Sequence, residues 1–274
     1  MDLHFEENVN NTTVISSYYS WFGIADFIRA SLNLYSFCKK RNYAFYIDFK
    51  GTPYETLFDT PTFKNQCSIN IRDATGTPPI GYREEEFENK IIPGKTYNFT
   101  INYINITPDI YPDSFLDIFK PSESVLNYIE SLHFPKEYIA VHIRLNDSCI
   151  GTVQNIDFEK YKETIEKINE TCLPVIIFSN NEYIKKVFKE KYSFLIHEMP
   201  ILHTGNATGI NKEKKESYLK TIAEFYLIGF SSKVLSFHYS GFSHISSYLY
   251  KKEYIVTFDH PELKYLNDYI KYNA

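Results

Sequence analysis

The chain has 274 residues and a net charge of −5, enough for one large domain or two modest ones of ~125 residues each. That mildly acidic balance speaks against a nucleic-acid-binding protein, which would carry a basic face. No run approaches the ~18 apolar residues of a membrane-spanning helix, and the opening Met1-Asp2-Leu3-His4 lacks the basic start and apolar core of a signal peptide, so a cytoplasmic protein is expected. The four cysteines (Cys38, Cys67, Cys149, Cys172) show no C-x-x-C spacing and no histidine at ligand spacing. Neither a zinc site nor a disulfide framework is expected.

In chain order, Thr12 to Ser17 reads as a strand. After Gly23, residues Ile24, Phe27, Ile28, Leu34, Tyr35 and Cys38 fall on one helical stripe, and Tyr43 to Asp48 reads as a second strand. Strand, turn, helix, strand is a βαβ unit. Its turn carries a single glycine, Gly23, so it is no dinucleotide fingerprint; Gly23 serves either a tight turn or a ligand. Residues 51–93 loosen into proline-rich sequence with the acidic run Glu84 to Glu88, the composition of a solvated loop. Tyr97 to Ile106 alternates partly like a strand. Pro112 to Leu132 is helical in pattern, split by Pro121 into two pieces. We place a domain boundary after Pro135, giving an N-terminal α/β domain over 1–135 and a Rossmann-like domain over 136–274.

The second half is more regular. Strand Tyr138–Ile143 leads through a loop to a helix capped by Asp157, with Phe158, Tyr161, Ile165 and Ile168 facing inward. Strand Pro174–Phe178, helix Glu182–Tyr192, strand Ser193–His197, a helix from Glu213 to Gly229, strand Lys233–Phe237, a helix after Ser240 and strand Tyr254–Phe258 follow. Short apolar strands alternating with helices predict a doubly wound parallel sheet with right-handed crossovers.

Three loops then follow strands on one edge of that sheet, where ligands of open α/β sheets collect. His142, Arg144 and Asp147 close the central strand. An arginine there suits a phosphate through its planar fork, and an Arg–Asp pair also serves to staple strand to loop. Ser179, Asn180 and Asn181 fit a base or ribose through their amides, or cap the helix at Glu182. Ser240, Gly241, Phe242 and Ser243 open a helix with backbone N–H groups, a small residue and hydroxyls, which fits an anion or ordinary N-capping. Together the three loops form the pattern of a nucleoside diphosphate pocket. No P-loop, G-x-S-x-G nucleophile or D-x-D metal motif is present, so no metal or other cofactor is expected.

His142-Ile143-Arg144-Leu145-Asn146-Asp147 resembles the His-x-Arg-Arg-x-Asp motif of the fucosyltransferase superfamily, which includes α1,2-, α1,6-, rhizobial nodulation and protein O-fucosyltransferases. Phe178 to Asn181 is similar to its Phe-Ser-Asp-Asp region. Glu224 to Ser232 followed by Ser240 to Ser243 is similar to its acidic helix and Ser-rich donor loop, and Phe22 to Asp26 to its Gly-x-Gly-(Asn/Asp) loop. The similarity spans most of residues 12–50 and 138–258. Leu145 stands at the second arginine, Asn180 and Asn181 at carboxylates, and Glu224 at an aspartate.

The resemblance implies a GT-B fold, two Rossmann-like domains facing a cleft, with the acceptor on the N-terminal side. It also implies metal-independent, inverting transfer of fucose from GDP-fucose to a hydroxyl of a glycan or glycoconjugate. Arg144 would neutralise the leaving diphosphate, and Asp26 and Asp147 are the candidate bases. Gly23, His142, Ser179, Asn180, Asn181, Glu224 and Ser240 to Ser243 would bind substrate. Two other readings fit the same residues: another donor such as a UDP-sugar, or a non-catalytic nucleotide- or carbohydrate-binding module.

Overall fold

The structure, a computed structural model, describes residues 12–18, 23–59, 69–72, 89, 91–100, 118–144, 157–170, 172–198, 212–237 and 239–257. The chain divides into two compact units, Met1–Glu123 with His203–Tyr218, and Ser124–Leu202 with Leu219–Ala274. Each is mixed α/β, and each holds one parallel sheet.

The first unit contains β1 (Thr13–Ser17), α1 (Ile24–Arg41), β2 (Ala44–Asp48), β3 (Ile69–Arg72) and β4 (Thr96–Thr100), with strand order β2-β1-β4-β3. β1 is central, which explains its buried run Val14, Ile15, Ser16: a strand with parallel neighbours on both sides and α1 packed against it meets little water. α1 ends where Asn42 takes a left-handed conformation (φ 55°), and Tyr43 N–H turns back to the Cys38 carbonyl. The core is aromatic: Phe27, Phe49, Phe58 and Phe119 meet within 6.5 Å of one another in the pairs observed, with Phe49 and Phe58 stacked at 5.0 Å. β3 falls within the stretch expected to be loop: Ile69-Asn70-Ile71-Arg72 alternates apolar and polar residues, but over only four positions.

The second unit contains α2 (Glu123–Ser131, from its second residue), β5 (Ile139–Ile143), α3 (Phe158–Ile168), β6 (Val175–Ser179), α4 (Glu182–Tyr192), β7 (Leu195–Ile196), α5 (Lys212–Phe230, from Leu219), β8 (Lys233–Ser236), α6 (Gly241–Leu249) and β9 (Glu253–Val256). The strand order is β7-β6-β5-β8-β9, every pair parallel. From β5 the chain winds outward one way through β6 and β7, then returns along α5 to build the other half. The topological switch lies between β5 and β8.

Alternation along β5 divides its side chains between two cores. Ile139, Val141 and Ile143 pack with Val175, Ile177 and Leu235 against Tyr161, Ile165, Ile184 and Phe188 of α3 and α4. Tyr138 and Ala140 pack with Ile176, Phe178 and Val234 against Leu227 and Ile228 of α5. Burying each such side chain contributes ~1.5–3 kcal/mol. Ser193, expected to begin a strand, is instead the left-handed C-cap of α4 (φ 57°), which shortens β7 to two residues. Residues 101–106, 112–117 and 258 of other expected elements lie outside the described residues. Among the described residues no helix is long and apolar enough to cross a membrane.

α5 and α6 approach closely because Gly229 has no side chain. A Cβ there would lie 2.3 Å from Cδ2 of Tyr250, a ring itself held edge-on between Tyr226 and Phe230. Gly229→Ala is therefore expected to destabilise the protein by ~1–3 kcal/mol through overpacking. The check is a lowered urea midpoint at unchanged slope.

Candidate functional site

The site is built on the last rung of the second sheet. His142 of β5 pairs with Phe178 of β6 and with Ser236 of β8, and the Ile177–Ile196 pair sets His197 beside Phe178. In-register parallel strands turn these side chains to one face, so His197, Phe178, His142 and Ser236 form a row across four strands. α5 and α6 lie on that face.

His142 is 4 % exposed. Its Nδ1 lies 2.9 Å from Ser243 Oγ, and its ring is tilted against that of Phe242, 6.2 Å between centroids. The contact ties the end of β5 to the first turn of α6. Burial pushes the imidazole down to about 4; the Glu224 charge opposes that shift and the Arg144 charge reinforces it. His142 is thus neutral at pH 7. Those two influences also locate Arg144 and Glu224 electrostatically around His142. Arg144, the residue after β5, is partly exposed and carries a permanent charge.

α6 begins at Ser240, whose backbone is extended and whose hydroxyl makes no cap to the helix. Ser240 is only 3 % exposed, and its Oγ has no hydrogen-bond partner among the described residues. The opening N–H groups of α6, at Gly241 and Phe242, are the orphan donors of any helix start and carry its partial positive charge. Tyr254 of β9 supports this turn from below. Its hydroxyl accepts from Ser240 N–H at 3.4 Å, lies 3.3 Å from Ser243 Oγ and also bonds Ser236.

The loop after β6 is internally bonded. Ser179 Oγ donates to the Ile143 carbonyl at 2.7 Å and accepts from Asn181 N–H at 3.2 Å. Asn181 is the N-cap of α4, its Oδ1 accepting from Ile184 N–H at 3.1 Å. Ser179 thereby joins the ends of β5 and β6, and Asn181 takes the capping role that its place before Glu182 permits. Asn180 lies between them, at the rim of the sheet.

Glu224 is buried on α5, with Oε2 3.0 Å from Nδ1 of the fully buried His197. Nε2 of His197 lies 3.2 Å from Tyr128 Oη. His197, Tyr128, Tyr254 and Ser236 were not singled out from the sequence; parity along the strands was the available signal, since it puts Phe178 and His142 on one face.

Gly23 and Asp26 belong to the first unit, at the start of α1. Gly23 is its N-cap in ordinary extended geometry (φ −64°), and a Cβ there would lie 3.3 Å from Asp26 Oδ2. Asp26 occupies the first turn, where a carboxylate complements the helix dipole. Asp147 lies outside the described residues, as do Leu145, Asn146 and Phe22. Among the described residues no group of three or more His, Cys, Asp or Glu is gathered for a metal ion.

A comparison of folds finds solved fucosyltransferases. NodZ α-1,6-fucosyltransferase from Bradyrhizobium aligns with a TM-score of 0.57 at 12 % identity, over 86 % of this chain and 93 % of that one. The chain has a fucosyltransferase-like fold. A point mutant of Arabidopsis thaliana FUT1 in complex with GDP gives 0.59 at 14 % identity, over 90 % of this chain and 71 % of that one. POFUT1 in complex with GDP-fucose gives 0.51 at 11 % identity, over 92 % and 99 %. These neighbours have the GT-B fold, and the mixed α/β architecture with two parallel sheets agrees with it. No family model matches the sequence, and no curated protein matches it.

Proposed function

We propose that this protein is a glycosyltransferase that moves fucose, with inversion, from GDP-fucose to a hydroxyl of a glycan or glycoconjugate, without a metal or other cofactor. The observation that carries the reading is the His142–Ser243 contact at the switch point between β5 and β8. It brings the start of α6 and the Arg144 position to the place where open α/β sheets bind nucleotides. The NodZ and POFUT1 neighbours were crystallised with GDP or GDP-fucose, which supports the choice of donor.

In this reading the diphosphate sits between the Arg144 guanidinium and the N–H groups of Gly241 and Phe242. Charge growing on the departing GDP is neutralised by a cation and a helix dipole already in place. Neutral His142, held by Ser243, contacts the sugar-nucleotide as a hydrogen-bonding group and carries no proton in the reaction. Glu224 and Asn180 contact the nucleoside. The acceptor hydroxyl loses its proton to Asp26 or Asp147.

A thermal-shift panel of GDP, UDP and ADP tests the donor. At about 100 Kd a ligand adds ~2.7 kcal/mol, so GDP is expected to raise Tm well above the other two. A shift with UDP alone selects a UDP-sugar. GDP binding without transfer or hydrolysis of GDP-fucose selects a non-catalytic binding module.

A further inference from the structure

We infer that His197 and Tyr128 are positioning residues that aim the Glu224 carboxylate into the nucleotide site. The inference rests on the donor reading above.

His197 is 0 % exposed, yet both its ring nitrogens are engaged, Nδ1 by Glu224 Oε2 at 3.0 Å and Nε2 by Tyr128 Oη at 3.2 Å. One tautomer satisfies both contacts: Nδ1–H donates to the carboxylate while Nε2 accepts the phenolic O–H. Three elements meet in this chain of bonds, since Tyr128 lies on α2, His197 follows β7 and Glu224 lies on α5. Its surroundings are apolar. The rings of Phe178, Tyr128 and Phe134 stand 5.8, 6.1 and 6.4 Å from the imidazole. In such surroundings a carboxylate stripped of its donor is costly, so the imidazole fixes where Oε2 must be.

Fixing one oxygen fixes the other. No described residue bonds Oε1 of Glu224, and the charge of this carboxylate is felt at His142, two strands along the same rung. A carboxylate locked by a buried partner recognises an N–H donor of a nucleobase with less ordering cost than a mobile one. The imidazole is itself oriented by the Tyr128 phenol, so the direction of its N–H, and with it the carboxylate, is set from both sides.

The test is a set of calorimetric titrations with GDP on wild type, His197→Leu, His197→Asn, Tyr128→Phe and Glu224→Ala, and on His197→Leu and Tyr128→Phe each combined with Glu224→Ala. His197→Leu is expected to weaken GDP binding about tenfold or more, and Tyr128→Phe less. His197→Asn, whose amide N–H stands in for Nδ1–H, is expected to stay within about threefold of wild type. In the Glu224→Ala background neither His197→Leu nor Tyr128→Phe is expected to add any loss. Losses that persist undiminished in that background, or unchanged affinity in both single variants, overturn the inference and leave the donor reading standing. A wild-type protein that binds no GDP overturns both. If His197→Leu does not fold, the Tyr128→Phe cycle decides.

Discussion

Arg144→Ala is expected to lower the rate of the proposed fucosyl transfer by about 10²–10³, with little change in Tm. The rate effect follows from where the charge sits. Arg144 is the first residue beyond the buried strand β5, next to the row that carries His142 and beside the switch point. In the proposed transfer it complements negative charge that grows only as the nucleoside diphosphate leaves, so its loss would fall on the transition state more than on ground-state binding. Folding is spared because Arg144 lies at the partly exposed rim while the core of β5 stays intact, and such substitutions usually fall within about 0.5 kcal/mol. Arg144→Lys keeps the charge and loses the bidentate fork, so an intermediate rate is expected. A second readout is independent of turnover. Arg144 holds the His142 pKa down, so Arg144→Ala should raise the His142 midpoint measured by NMR. Wild-type turnover in Arg144→Ala would sink the mechanism.

The second unit was legible in the sequence because its strands are nearly continuous apolar runs. Ile139 to Ile143 and Val175 to Ser179 are buried at every position, the pattern of central strands covered on both faces. The helix caps at Asp157 and Asn181 were legible for a local reason: a side-chain oxygen three residues before an amide needs no tertiary context. The first unit was half legible. β3, Ile69–Arg72, has the alternation of a strand over only four residues, too short to stand out without its pairing to β4. Within the site, Arg144 and the Ser240 turn could be found because each sits in one short stretch. His197 and Tyr254 could not. Each acts across the sheet, on a partner 27 and 11 residues away in the chain, and the register that brings them together is a property of packing. The same holds for Ser243, whose bond to His142 spans 101 residues.

Acidification is expected to destabilise the protein through His142, by up to ~3 kcal/mol. The imidazole titrates at about 4 in the folded chain against 6.5 when unfolded. Between those values the unfolded state binds a proton that the folded state refuses, so stability rises with pH across the window. The contribution is complete above 6.5 and is lost as pH falls through 4. The cause is burial: a charged ring on this rung would be stripped of water, with Arg144 repelling it and the Glu224 charge compensating only in part. His142→Asn removes the titrating group and keeps an amide near Ser243 Oγ. The measurement is Tm, or the urea midpoint, of both proteins from pH 7 to pH 4. Exposed acidic pairs such as Glu198 with Lys189 are common to the two proteins and cancel in the difference. The wild-type curve should fall more steeply than the variant's between pH 6.5 and 4, and the two should run parallel above 6.5. Parallel curves throughout would mean that His142 is not held neutral, and its proposed role as an uncharged contact to the sugar-nucleotide would fall with it.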